Sequence, residues 1–118
     1  MMTAKQIASE LYNRRFHFSS EKELQRGIAI VLTELKLDFK PEVPLTKQDR
    51  IDFLINDIGI EVKVDSPQSL VTRQLWRYSQ CSEVQSLILV TTRSKHMNLP
   101  AEMNGKPLYL VYLLNSFV

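Results

Sequence analysis

The most informative stretch of the chain is Arg50-Ile-Asp-Phe-Leu-Ile-Asn-Asp-Ile-Gly-Ile-Glu-Val-Lys-Val64. Its two halves, residues 50–55 and 58–64, are rich in β-branched residues, which are typical of strands. Asn56 and Asp57 separate the halves, and this residue pair is typical of a two-residue hairpin turn. We therefore predict a β-hairpin here.

The turn also sets the register of the two strands. It places Asp52 on the first strand directly across from Glu61 on the second, with Cβ atoms about 4.5–5.5 Å apart. Glu61 and Lys63 are two residues apart on one strand, so their side chains point to the same face. The apolar residues that alternate with them point to the other face, where we expect them to be buried. The sequence thus predicts two carboxylates and one ammonium group on a single patch of an apolar hairpin.

Such a patch favours metal-assisted chemistry. Two neighbouring carboxylates repel each other, and burial raises the cost of keeping both ionised. Mg²⁺ relieves this repulsion, because it binds one or two carboxylates together with water and phosphate oxygens. An ammonium group beside the metal can lower the pKa of an attacking water or stabilise charge on a phosphate. Asp52, Glu61 and Lys63 therefore point to hydrolysis of phosphodiester bonds with Mg²⁺ or Mn²⁺.

Two helices precede the hairpin. Residues 3–13 fit a short helix with Thr3 as its N-cap. Residues 20–36 fit a longer one, capped by Ser19 or Ser20, with acidic residues in its first turn and an apolar stripe along one side. Glu21 shares the face of this stripe and Glu23 does not, so we expect Glu21 to reach the hairpin.

The rest of the chain supplies further strands and one crossover helix. Residues 38–43 look extended. Ser66 as the N-cap and Pro67 as the first helical residue predict a helix over 67–81. Residues 84–91 and 108–114 are apolar and predict strands, separated by a polar loop at 93–98. The resulting order, α-α-β-β-β-α-β-β, predicts a single α/β domain over 1–118, in which a mixed central β-sheet is flanked by helices.

These motifs resemble the PD-(D/E)xK, or restriction-endonuclease-like, nuclease superfamily, which includes Holliday-junction resolvases and RecB-type nucleases. Ile51-Asp52 stands where the family has a Pro-Asp pair, and eight residues separate Asp52 from Glu61-Val62-Lys63. Glu21-Lys-Glu-Leu24 resembles the preceding helix of the family, and Gln74-Leu-Trp-Arg-Tyr78 resembles its QxxxY motif. The similarity covers residues 19–92.

The resemblance implies a restriction-endonuclease-like core and cleavage of DNA. It further implies that Glu21 assists metal binding and that Gln74 and Tyr78 line the active site. Arg73 and Arg77 form a second i,i+4 pair on the same helix, suited to contacting DNA phosphates. Asp49 is an alternative to Asp52, although its neighbours are polar.

Composition narrows the remaining possibilities. Cys81 is the one cysteine, which excludes an internal disulfide and a thiolate zinc cluster and favours a reducing, cytoplasmic setting. The chain has no apolar run of the 18 or so residues that span a bilayer. Its net charge of +2 permits a nucleic-acid partner without requiring one.

Two rival hypotheses remain open at this point. The same fold can serve as a non-catalytic DNA-binding or assembly module, and RNA is a third, weaker possibility as substrate. Since 118 residues leave little room for a sequence-reading domain, specificity would come from DNA structure, from a homodimer or from a partner protein.

Overall fold

A computed structural model describes residues 1–113 of the chain. The end of the predicted last strand, Leu114, lies outside the described residues. In chain order the elements are α1 (Ala4–Tyr12), α2 (Glu21–Glu34), β1 (Lys40–Pro44), β2 (Arg50–Ile55), β3 (Ile58–Lys63), α3 (Gln68–Ser79), β4 (Ser86–Thr91), a 3₁₀ helix (Ser94–Asn98), β5 (Glu102–Met103) and β6 (Lys106–Tyr112).

The strands form one six-stranded mixed sheet in the order β1-β2-β3-β4-β6-β5. β1, β2 and β3 are antiparallel neighbours, whereas β3, β4 and β6 run parallel to one another. β5 closes the far side as a short antiparallel partner of β6. Because β3 and β4 are parallel, the chain must cross over between them, and α3 makes this crossover. The predicted α/β class with a mixed central sheet is confirmed.

Helices cover both faces of the sheet. α1 packs against β4 and β6, and α2 packs against β3, burying an apolar layer that includes Leu24, Ile28, Ile60 and Val62. α3 packs on the opposite face, where its own buried residues meet a second apolar cluster. Glu61 and Lys63 alternate with Ile60 and Val62 along β3, so they lie on the α3 face.

Local signals explain where the helices and the hairpin begin. Thr3 caps α1 and exchanges two hydrogen bonds with Gln6, while Ser20 caps α2 by accepting from the backbone N–H of Glu23. Asn56 opens the hairpin turn in the left-handed conformation, at φ 52°, which asparagine tolerates better than most residues. Ile55 pairs with Ile58, which confirms the predicted two-residue turn.

The crossover helix is shorter than the predicted 67–81. Pro67 occupies the N-cap position itself and makes no side-chain cap, so the predicted capping by Ser66 is wrong. The carbonyl of Ser66 instead bonds Nε2 of His96, which lies in the 3₁₀ helix. That 3₁₀ helix and β5 are two elements that the sequence pattern did not predict. No helix within residues 1–113 is long and apolar enough to cross a membrane.

Candidate active site

Glu61 and Lys63 lie near the end of β3, facing α3. Glu61 is only 2% exposed, and its Oε2 lies 3.2 Å from Nζ of Lys63. The lysine side chain is also largely buried, so this ion pair is only partly open to water. Taking two charges out of water costs desolvation free energy, so burial of this pair is not by itself a source of stability.

Asp52 joins this pair at the point where β2 and β3 separate. The paired positions end at Phe53 and Ile60, and beyond them side chains replace main-chain partners. Oδ2 of Asp52 accepts from the backbone N–H of Val62 at 2.7 Å, and Oε1 of Glu61 accepts from the backbone N–H of Asp52 at 3.3 Å. The predicted placement of Asp52 beside Glu61 is therefore confirmed, with each carboxylate bound to the opposite strand.

Burial and mutual repulsion disfavour the charged forms of both carboxyl groups. Burial is the main cause that raises the pKa of Glu61 to about 8, and the neighbouring Asp52 raises it further. Burial likewise raises the pKa of Asp52 to about 6, against the opposing effects of the Val62 hydrogen bond and of Lys63. Without a bound cation, this pair therefore retains a proton near neutral pH.

Glu21 reaches the same region from the first turn of α2. Its Oε1 accepts from the backbone N–H of Val64 at 3.1 Å, just beyond β3, and its charge contributes to the raised pKa of Asp52. Glu23 is exposed and turns back to bond the backbone N–H and the hydroxyl of Ser19. The predicted facing of this helix, with Glu21 inward and Glu23 outward, is confirmed.

Gln74 and Tyr78 extend the cluster from α3. Nε2 of Gln74 donates to the Tyr78 hydroxyl at 3.0 Å. That hydroxyl lies 2.9 Å from the carbonyl oxygen of Arg50 and 3.4 Å from Oε1 of Glu61, and these two acceptors share its single proton. Tyr78 is fully buried, and burial together with the nearby carboxylates raises its pKa, so it stays protonated. The structure thus brings together all six predicted catalytic residues: Glu21, Asp52, Glu61, Lys63, Gln74 and Tyr78.

The two arginines of α3 have different surroundings. Arg73 is exposed beside Gln68, Ser69 and Thr72. Arg77 forms a two-pronged ion pair with Asp49, with Nε 2.6 Å from Oδ2 and Nη2 3.0 Å from Oδ1. Arg73 is thus presented freely to a polyanion, whereas Arg77 already shares its charge with a carboxylate.

Asp49 is the residue whose place the sequence did not reveal. It is 8% exposed, and it contacts Gln74 and Arg77 rather than the metal-ligand candidates. Thr46, three residues earlier, donates to its Oδ2 and indicates a local polar turn. No local pattern links Asp49 to Arg77, because 28 residues separate them.

A cleft of about 240 Å³ opens between the end of β3 and α3. Lys63, Gln74, Arg77 and Asp49 supply its polar wall, and Ser66, Leu70 and Val71 complete it. The cleft gives solvent and small ligands access to Lys63, which is paired with Glu61.

The donor set fits a hard divalent cation. Asp52 and Glu61 provide two neighbouring carboxylates, which is the number that Mg²⁺ commonly takes from protein, with water and phosphate oxygens completing its sphere. Their raised pKa values show that neutralising charge here would stabilise the folded chain. Within residues 1–113, no three His, Cys, Asp or Glu side chains already converge on one metal position.

Comparisons of the chain with protein-family models, with curated proteins and with solved structures find no match. The chemistry of the residues themselves therefore carries the functional proposal below.

Proposed function

We propose that this protein is a divalent-metal-dependent nuclease that hydrolyses DNA phosphodiester bonds. The observation that carries the proposal is the cluster of Asp52, Glu61 and Lys63, two carboxylates and an ammonium that meet where β2 and β3 separate, with Lys63 lining an open cleft. Because this arrangement costs free energy in an unliganded fold, a function that uses it is the simplest account of its presence.

In this proposal Asp52 and Glu61 hold Mg²⁺ or Mn²⁺, and Glu21 supports the metal from α2. A bound divalent cation supplies Lewis-acid polarisation of the phosphodiester and neutralises its charge. Lys63 orients or activates the attacking water, since its ammonium lies at the cleft and is held by Glu61. Tyr78 donates to Glu61 and helps to keep that carboxylate in one orientation.

DNA is the proposed substrate, with Arg73 and Arg77 contacting its phosphates. The motifs that resemble PD-(D/E)xK nucleases support DNA over RNA, and they support a restriction-endonuclease-like arrangement of the core. Specificity then comes from DNA structure, from a homodimer or from a partner protein, in a cytoplasmic setting.

A non-catalytic DNA-binding or assembly module is the alternative, and one observation favours it. Both oxygens of Glu61 are already engaged, Oε1 by the Asp52 N–H and the Tyr78 hydroxyl, and Oε2 by Lys63. Such a satisfied network could be purely structural. Each carboxylate oxygen carries two lone pairs, however, so Oε2, which is paired with Lys63, keeps one lone pair for a metal ion.

A cleavage panel tests the proposal. Single strands, duplexes, flaps and four-way junctions are incubated with Mg²⁺ or Mn²⁺, beside a variant with Asp52, Glu61 and Lys63 all replaced by alanine. We expect the wild type to cut at least one substrate and the variant to cut none. Equal rates for both proteins would show that the assignment is wrong.

Thermal melting separates the enzyme from the binding module. A cation that binds only the folded chain stabilises it by mass action, so Mn²⁺ should raise the Tm of the wild type. The rise should vanish in the Glu61→Ala variant. Identical melting curves in Mn²⁺ and in EDTA, together with equal DNA affinity under the two conditions, would favour the binding module.

A further inference from the structure

Both carboxylate oxygens of Asp49 accept two hydrogen bonds, although Asp49 is not among the proposed metal ligands. It precedes β2 and lies under α3, where Oδ1 accepts from Arg77 and, at 3.3 Å, from Nε2 of Gln74. Oδ2 accepts from Arg77 and, at 3.1 Å, from the hydroxyl of Thr46. The Arg77 guanidinium holds the pKa of Asp49 below its usual range, so Asp49 is ionised throughout the neutral pH range.

An ionised carboxylate accepts hydrogen bonds and cannot donate them. Asp49 therefore requires the NH₂ side of the Gln74 amide to face it, and excludes the flipped amide whose oxygen would meet a carboxylate. The NH₂ group has two hydrogens. One goes to Asp49 and the other to the Tyr78 hydroxyl, as the distances of 3.3 and 3.0 Å indicate.

This orientation controls the hydroxyl of Tyr78. Because the hydroxyl accepts from Gln74, its own proton can go only to its remaining neighbours, the Arg50 carbonyl and Oε1 of Glu61. If the amide of Gln74 were free to flip, its oxygen would compete for that proton. Glu61 would then lose a donor.

We propose that Asp49 is a positioning residue that fixes Gln74 and Arg77 on α3 and so reserves the Tyr78 proton for the Arg50 carbonyl and Glu61. The contribution to cleavage rests on the proposed nuclease function, whereas the orientation of Gln74 does not. A different role for Asp49 is purely local: its contacts with Thr46 also hold the turn before β2. The experiments below distinguish the two roles.

The first experiment requires no activity. The side-chain NH₂ signals of Gln74 are followed by NMR in the full chain, with hydrogen exchange as the readout. In the wild type both protons should exchange slowly, and in the Asp49→Asn variant exchange should be at least tenfold faster. The Glu34→Gln variant is the control, because it breaks another arginine–carboxylate ion pair, with Arg14. Fast exchange in the wild type, or no change in Asp49→Asn, would overturn the proposal.

The second experiment measures cleavage in a double-mutant cycle of Asp49→Asn and Gln74→Met. Residues that support metal ligands typically contribute about 10- to 100-fold to activity, so each single variant should lower kcat by that order with little change in KM. Because Asp49 acts through Gln74 in this proposal, kcat of the double variant should be little lower than that of either single variant. If the fold-decreases in kcat of the two single variants multiply in the double variant, Asp49 does not act through Gln74.

The two experiments also separate this proposal from the function on which it rests. If no substrate is cut by the wild type, the nuclease proposal fails while the exchange of the Gln74 amide still decides the role of Asp49. If Asp49→Asn does not fold, Gln74→Met keeps the Asp49–Arg77 pair and removes only the amide. In that variant, kcat equal to that of the wild type would reject the catalytic part of the proposal.

Discussion

Asp52 and Glu61 stay close although their charges repel each other. Each accepts a backbone N–H from the opposite strand, and Lys63 adds a positive charge on the far side of Glu61. These contacts offset the repulsion only in part, since the pKa of each carboxyl group remains raised. Repulsion of this kind is relieved by a proton or a cation, which makes the pair sensitive to both.

The pH dependence of stability should reveal this repulsion. Because the pKa of Glu61 is raised in the folded chain, its protonated form stabilises the fold. This stabilisation is complete below the ordinary glutamate pKa and is lost as the pH rises through about 8. Between about pH 5 and pH 9 in EDTA, the wild type should therefore lose stability relative to Glu61→Gln, on the order of a few kcal/mol. Urea unfolding at several pH values measures the difference.

Glu34→Gln serves as the control for this experiment, because Glu34 is an exposed carboxylate on α2. It should follow the wild-type pH profile. If Glu61→Gln also follows that profile, then Glu61 does not carry the raised pKa.

Glu21 and Glu23 offer a matched pair in one helical turn. Glu21→Gln should lower the cleavage rate about tenfold or more and weaken the response to Mn²⁺, because its carboxylate lies beside the end of β3 and near Asp52. Glu23→Gln should leave the rate unchanged, since that side chain bonds Ser19 on the outer surface. Rates under saturating Mn²⁺ check both statements, and an essential Glu23 with a dispensable Glu21 would contradict them.

The hairpin of β2 and β3 carries the site on a tightly packed base. Gly59 lies two residues before Glu61, and a Cβ atom there would overlap Cδ1 of Ile51 and lie 3.3 Å from Cδ2 of Leu87. The absence of a side chain lets Ile51 fold over β3, directly before Asp52. The position of Asp52 thus depends on a glycine on the neighbouring strand.

Gly59→Ala should therefore weaken the hairpin and the site together. Overpacking of this kind costs about 1–3 kcal/mol, and a displaced Ile51 should shift Asp52 and lower the cleavage rate. Ile51→Val removes the overlapping Cδ1 atom, so the double variant should recover part of the lost stability. Urea unfolding of the four proteins tests this, and a double variant that is destabilised by the sum of the single effects would argue against the overlap.

The excess of positive charge on the whole molecule is small, but it is concentrated on one side of the fold. The net charge is only +2. Lys63 on β3 and Arg77 on α3 nevertheless line the cleft, and Arg73 lies one turn before Arg77 on α3. A polyanion approaching this side would meet these cations, whereas Glu61 is buried. Arg77 contributes less than a free arginine, since Asp49 balances its charge.

Replacement of Arg73 and Arg77 by glutamine should weaken DNA binding for all sequences and flatten its salt dependence, because each phosphate contact releases counterions. Arg73→Gln alone should account for the larger share, since Arg73 is exposed and Arg77 is paired. Binding isotherms of a metal-free catalytic variant at several salt concentrations provide the measurement. Unchanged affinity at low salt would place both arginines outside the DNA interface.

Much of this architecture follows from short-range patterns. The Asn56-Asp57 turn, together with alternation along β2 and β3, was enough to predict that Asp52 lies beside Glu61 and that Lys63 shares their patch. A single turn sets the register of a hairpin, and register determines every facing residue. Thr3 and Ser20 likewise indicate where α1 and α2 begin, because each caps its helix through bonds to residues in the first turn.

Other features depend on packing between distant segments. The ion pair of Asp49 with Arg77 joins residues 28 apart, and the bond from the Val64 N–H to Glu21 spans 43. His96, which showed no pattern, is fully buried between Thr91 and the Ser66 carbonyl. Local sequence determined the hairpin and its charged face, because main-chain geometry alone relates those residues. The support around that face was decided when α2 and α3 packed on opposite sides of the sheet, since only packing sets which distant polar groups meet.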